Sequence, residues 1–325
     1  MEGVTGTAAT AVKRDTRFFK WMRKLQKERT LHFMILPSVI CTIVFAYFPM
    51  YGILIAFKHY DMFQGVWGSP WADNYGFENF IDFFKSTDCV EVLGNTIAIA
   101  LLKLALCSLP PVILAIMINE VTNIAFKRIT QSISYLPHFV SWVVVGGLIM
   151  NFLSPNDGAL NAILMQTHLI RSPIDFLSVS GYFWPIIILS DIWKGIGWGS
   201  IIYLGVIVGI DPNLYEVIDI DGGGRWAKIK YVTWPFLTQT FVILFILGCG
   251  KIMSGGGTFS QSYILGNPAN RSRSDILSTY ILRVGLNEGR FSFSTAVGLF
   301  ESLVNLILLL LSNKVSKLLT DKGLF

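Results

Sequence analysis

What most limits the possible folds of this chain is a repeated feature: six mostly apolar stretches, near 31–57, 92–118, 132–153, 183–209, 235–253 and 294–313, separated by polar segments. A run of about 20 such residues, wound as a helix, spans roughly 30 Å of hydrocarbon. A bilayer interior offers no water to an open backbone, so helix is the form these runs must take. Composition agrees, with 53% hydrophobic and 14% charged residues among 325 and a mean hydropathy of +0.56, against about 25% charged in ordinary globular chains. The expected fold is all-α integral membrane, with six transmembrane helices.

Lysines and arginines orient the spans. With the N-terminus inside, the inner segments 1–30, 119–131, 210–234 and 314–325 hold sixteen of them and the outer segments seven, as the positive-inside rule requires. Both termini and the loop after span four are expected in the cytoplasm of an inner (cytoplasmic) membrane protein. Segment 1–30 carries Lys13, Arg14, Arg17, Lys20, Arg23, Lys24, Lys27 and Arg29 around Phe18, Phe19 and Trp21. It reads as a tail retained inside by charge, with an interfacial helix on anionic lipid as the rival. Span one is too long for a cleaved signal and is expected to remain as an anchor. The expected divisions are 1–30, 31–90 with the first span and an outer loop, 91–313 as a five-span core, and the tail 314–325.

The polar island at 211–234 has the grammar of two short helices. Asp211 can cap the first and Pro212 suits its first turn, while Leu214, Val217 and Ile218 share a face. Gly222-Gly223-Gly224 then stops it before Arg225, Trp226 and Ile229 begin the second. Glu216, Asp221-Gly222, Trp226 and Pro235 together resemble the coupling loop, or EAA motif, of ABC importer permeases. This chain has Val217 and Ile218 where that family usually has alanines, and Gly223 where it has alanine. Gly94-Asn95-Thr96, Gly158-Ala159-Leu160-Asn161 and the stretch from Asp275 to Glu301 are similar to the complex-sugar branch of the maltose-type permeases.

The resemblance implies a type I importer. This subunit would pair with a second homologous permease, usually a different chain, two cytoplasmic ATPases that bind ATP and Mg, and an extracytoplasmic solute-binding protein. Membrane lipids complete the partners; nucleic acid is not expected. Glu216, Asp219, Asp221, Gly222, Arg225 and Lys228 would couple to the ATPases.

Polar residues inside the spans are candidates for a translocation path, because ionisable groups at that depth usually face a bundle interior or a wet cavity. They are Trp142, Asp191, Trp193, Lys194, Trp198, Lys251, Glu301 and Asn305. Asp191 and Lys194, three apart on a helix, can instead neutralise each other. Gly195, Gly197 and Gly199 suggest distorted backbone in span four. Pro110-Pro111 should kink span two, where Lys103 needs a partner. His138 reads as a packing residue. Outside, Trp67, Trp71, Tyr75 and Phe77 suit interfacial anchoring or binding-protein docking, and 154–182 stays open between a re-entrant helix and a surface loop.

Cys41, Cys89, Cys107 and Cys249 show no CxxC spacing, and the histidines form no HExxH, so no metal or disulfide framework is expected. Without GxxxxGK[ST] no nucleotide site is expected in this chain, and without a nucleophile and base in register no catalytic one. The alternative is a membrane-embedded enzyme acting on a lipid or lipid-linked sugar through Asp191, Lys194 or Glu301. For cargo, the resemblance implies an oligosaccharide, and three lysines in the spans against Asp191 and Glu301 suit an anionic one, a uronate chain such as an alginate fragment.

Overall fold

The structure is a computed structural model that describes residues 28–320. The basic segment assigned to 1–30 lies outside the described residues except for its last three, as do the last five residues of the 314–325 tail. Every described element is helical apart from one antiparallel bridge between Lys58 and Trp71.

Five helical runs are long and apolar enough to cross a membrane: Arg29–Phe57, Asp88–Glu120, Ser180–Val208, Arg225–Cys249 and Phe291–Lys317. The sixth expected span is a bent pair, Ile124–Phe139 and Trp142–Leu153, whose axes differ by 98°. Its elbow has a local cause. Pro137 ends the first helix, Val140 and Ser141 are extended, and the Ser141 hydroxyl restarts helix by accepting from the Val144 amide at 3.3 Å. The straight span read over 132–153 is corrected to this elbow.

Span two breaks at Cys107 and Ser108, and the proline pair sits in the first turn of the second piece, where a missing N–H costs nothing. Span four departs from its sequence reading in the other direction. Phe183–Val208 is one unbroken helix of 26 residues, and the distortion expected from its glycines is absent. The glycines serve close approach. A Cβ on Gly197 would run into the Ser134 carbonyl, and one on Gly199 would meet Pro111 at 3.0 Å. Bilayer depth favours keeping every helical hydrogen bond, which outweighs the weak helix propensity of glycine.

The chain divides into two bodies, one ending at Ile53 and one beginning at Leu54. In the first, the helix Arg29–Thr42 has no buried residue and exposes Phe33, Met34, Ile35 and Ile40 around its circumference, a surface suited to lipid. In the second, apolar clusters join the spans. Val112, Ala115 and Ile118 of span two pack with Tyr203, Leu204 and Ile207 of span four and Leu237 of span five. Phe83, Val92, Leu277, Tyr280 and Phe293 form another cluster toward the other end.

Asn95 donates to the carbonyls of Ser272 (3.0 Å) and Asp275 (3.1 Å), and the Thr96 hydroxyl accepts from the Leu277 amide at 2.8 Å. Asn161 exchanges bonds with Ile174 in both directions and donates to the Ser154 carbonyl. Two of the stretches that carried the family resemblance thus stitch loops to helices. The 154–182 segment resolves into a helix, Ala159–Gln166, pinned by that asparagine.

Candidate functional sites: the 211–234 loop and a polar seam between spans

In the loop, the helix Asn213–Ile220 is followed by a turn in which Gly222 takes a φ of +76°, a left-handed value that side chains resist. Asp211 accepts from the Asn213 amide at 3.0 Å, the local cap expected of it. Arg225–Lys228 then leads into the π-helical turn Ile229–Thr233 and span five. Three contacts fix the loop. Lys228 pairs with Asp219 at 2.7 Å, Arg225 lies 3.8 Å from Glu120 at the end of span two, and the hydroxyls of Tyr215 and Thr233 are 3.1 Å apart.

Glu216 and Asp221 are exposed, and Val217, Ile220 and Trp226 hold large apolar surfaces out to solvent, at 53%, 85% and 83% exposure. A loop this well fixed with so much grease outside is an unfinished interface.

The triglycine carries a compensation that neither position reveals alone. A Cβ on Gly223 would lie 2.5 Å from Ile218 Cγ2 and 3.0 Å from its carbonyl. The branch of Ile218 thus fills the room that a side chain at 223 would need.

The second site lies deep between the spans. Lys103, 7% exposed, pairs with Asp191 at 3.1 Å and donates to Thr258 Oγ1 (3.1 Å) and Gln261 Oε1 (3.2 Å). Gln261 in turn donates to the Ile187 carbonyl and to Ser190 Oγ, both at 3.1 Å. Span two, span four and the segment after span five are joined by this one network. Gly255, Gly256 and Gly257, with φ of +61°, +63° and +80°, turn that segment back against Ala100 and Lys103.

Asp191 is therefore taken by Lys103, and the alternative of a pair with its own helix neighbour Lys194 is not realised. Lys194 donates instead to the carbonyls of Pro137 (3.2 Å) and His138, at the C-terminal end of the first elbow helix, where the helix dipole is negative. Its Nζ also sits 5.5 Å from the Trp142 ring centre. Among the described residues no carboxylate lies within ion-pairing distance of it.

Trp142, Asp191 and Lys194 line one open cavity of about 440 Å³ with His138, and Trp198 stacks on His138 at 4.4 Å. Asp191 also lines a second cavity, of about 260 Å³, with Lys103 and Lys251. The other candidates are not gathered there. Trp193 is half exposed, Glu301 meets Ser278 at 3.3 Å in a shallow groove, and Asn305 holds the Met253 amide at 2.8 Å and Ser254 Oγ at 3.0 Å. Sequence reasoning missed Thr258, Gln261 and Ser190: Ser190 had its place in an apolar run as a signal, while Thr258 and Gln261 lie in a stretch rich in glycine and serine where nothing sets them apart.

These features, a helical membrane bundle with a fixed but unfinished loop at one end and a polar seam within, are those of a transport subunit. Residues 109–321 match the family described as the inner-membrane component of binding-protein-dependent transport systems, and the chain belongs to that family. It is 38% identical to Protein LplB of Bacillus subtilis (strain 168) over 94% of each chain. It is also 38% identical to that organism's polygalacturonan/rhamnogalacturonan transport system permease protein YteP, over 93% of this chain and 92% of the relative. A crystal structure of a bacterial ABC transporter involved in import of the acidic polysaccharide alginate contains a chain similar at a TM-score of 0.84 and 35% identity, covering 93% of this chain and 99% of that one. A crystal structure of a bacterial alginate ABC transporter in complex with an alginate pentasaccharide-bound periplasmic protein contains a chain similar at a TM-score of 0.83 and 35% identity. The chain is the permease of an ABC importer, not an enzyme.

Proposed function

We propose that this permease carries acidic oligosaccharides, uronate chains, inward through a pathway it shares with a second, non-identical permease. The observation that carries the reading is the partner exchange in the seam. With Asp191 held by Lys103, the Lys194 ammonium faces the Trp142 ring with carbonyls as its hydrogen-bond partners. A passing carboxylate must have its charge offset in a low-dielectric passage, and a cation beside an aromatic face offers both that and a flat apolar surface for a sugar ring. The polygalacturonan and alginate systems among the similar proteins support the same cargo class.

Energy enters through the 211–234 loop. Its exposed Val217, Ile220 and Trp226 would seat in a groove of a cytoplasmic ATPase, with Glu216 opposite a basic residue there. Two such ATPases bind ATP and Mg. As their dimer closes, the loop is dragged and spans four and five tilt, exposing the pathway to alternate sides. The solute-binding protein docks on the opposite face.

Reconstituted with its partners, the complex should hydrolyse ATP faster with binding protein carrying uronate oligosaccharides than with neutral chains of equal length. Equal stimulation by the neutral chains would sink the acidic cargo and leave the permease untouched. Orientation is read separately: an impermeant thiol reagent should label Ser272→Cys and spare Asp221→Cys, both exposed positions. The reverse pattern inverts the topology.

A further inference from the structure

Only two buried side-chain polar atoms lack a partner among the described residues, Ser262 Oγ and Arg283 Nε, and both residues line the same cavity. That cavity, of about 410 Å³, is lined by the segment 262–287 between spans five and six, beyond the end of span five away from the 211–234 loop, and it shares no lining residue with the two cavities of the polar seam. Buried polar atoms are normally satisfied, so two orphans at one cavity point to a guest that supplies their bonds. The Ser262 hydroxyl can re-aim its proton by rotation about its C–O bond, whereas Arg283 is fixed by its carboxylate partners.

The charges of the wall are unequal. Arg283 is held by Asp275 at 2.8 Å, by Glu288 at 3.1 Å and by Asp88 at 3.8 Å. Burial works against its charge, yet these carboxylates raise its pKa above the usual arginine value, so its charge is already spent. Arg271, exposed on the rim, has no carboxylate within ion-pairing distance among the described residues. Tyr263, 61% exposed, presents a ring to the same space. A free guanidinium, an aromatic face and an unanswered hydroxyl form a set that matches one sugar ring bearing a carboxylate.

We propose that this cavity is an entry subsite which receives a uronate residue of the oligosaccharide before it reaches the seam, with Arg271 on the carboxylate, Tyr263 against the ring and Ser262 on a ring hydroxyl. The proposal rests on the acidic-oligosaccharide reading above, and the test separates the two.

The reconstituted complex is supplied with saturating binding protein loaded with an oligogalacturonate or with its methyl ester of equal length, and uptake of each is measured. The native complex should favour the free acid. Arg271→Gln should lower that preference about tenfold, the worth of one charge-assisted bond, with uptake of the ester unchanged. Ser262→Ala should slow both cargos while leaving the melting temperature of the complex equal or higher, because it removes an unsatisfied hydroxyl. A native preference that survives Arg271→Gln intact overturns the subsite and keeps the cargo. No native preference overturns both. Equal loss of both cargos in Arg271→Gln, with a higher concentration of binding protein needed for half-maximal ATP hydrolysis, makes the rim a docking contact and overturns the subsite.

Discussion

The loop at 211–234 and the seam around Asp191 are both polar islands in an apolar chain, yet they are built on opposite terms. The loop's ion pair, Asp219 with Lys228, is local and exposed, and its large apolar side chains look outward. The seam's pair, Lys103 with Asp191, joins distant segments and is shielded, and its ammonium donates further hydrogen bonds to Thr258 and Gln261. A pair in water contributes little and can be remade at each cycle. A pair between spans holds its helices together because the alternative is a stranded charge. The first site is therefore suited to making and breaking contacts, and the second to keeping three elements in register while they move.

The comparison is tested hardest at Asp191. Asp191→Leu strands the Lys103 ammonium and should destabilise the purified complex by about 3–5 kcal/mol, read as a large fall in its melting temperature. Lys103→Met with Asp191→Leu should recover most of that loss. A double variant as unstable as the single one would mean that Asp191 matters for something other than this pair.

Gly222→Val comes next. Its left-handed φ resists a β-branched side chain, at a cost of about 2 kcal/mol, paid in the loop alone. Binding-protein-stimulated ATP hydrolysis should fall about tenfold while membrane insertion and melting temperature hold, and a variant with unchanged hydrolysis removes the loop from coupling. Glu216→Ala should act in the same direction through the ATPase contact.

Gly223→Ala should cost about 1–3 kcal/mol as overpacking against Ile218, seen as lost transport, and Ile218→Ala in the same chain, which removes the nearest atom but leaves the 218 carbonyl, should restore part of it. Failure of the second change to rescue the first would show that the two do not share one volume. The smallest effect is expected at Asp219→Asn, below about 1 kcal/mol in stability and diminishing further in high salt. A fall as large as that of Asp191→Leu would erase the distinction between the two regions.

How much of this the sequence carries follows from the same difference. The spans were legible because their length is set by the bilayer, and the loop because caps, prolines and glycines act on neighbours within a few residues. Pro110-Pro111 announced its kink for that reason. The elbow at 139–142 was missed although Pro137 and Ser141 mark it locally, because the mostly apolar stretch 132–153 has the length of one span. The glycines of span four pointed the wrong way, since a glycine that loosens a helix and one that lets Ser134 or Pro111 approach look alike in sequence. Lys103 and Asp191 were each visible as costly, but their pairing depends on a packing of helices that no local pattern encodes. Lys194, next to Asp191 in the helix, was the nearer candidate and went to the elbow carbonyls instead.

The reciprocal bulk of Ile218 and Gly223 also limits how this permease can be recombined with its relatives. A chimera that takes the helix from a parent with alanine at the first position, and the turn from this chain, leaves a void. The opposite cross-over forces a methyl group into the Ile218 branch. Donor and recipient would each be functional and the hybrid would not, so the smallest exchangeable module is the entire stretch from 213 to 228, and any cross-over point between 218 and 223 divides a unit that works only as inherited.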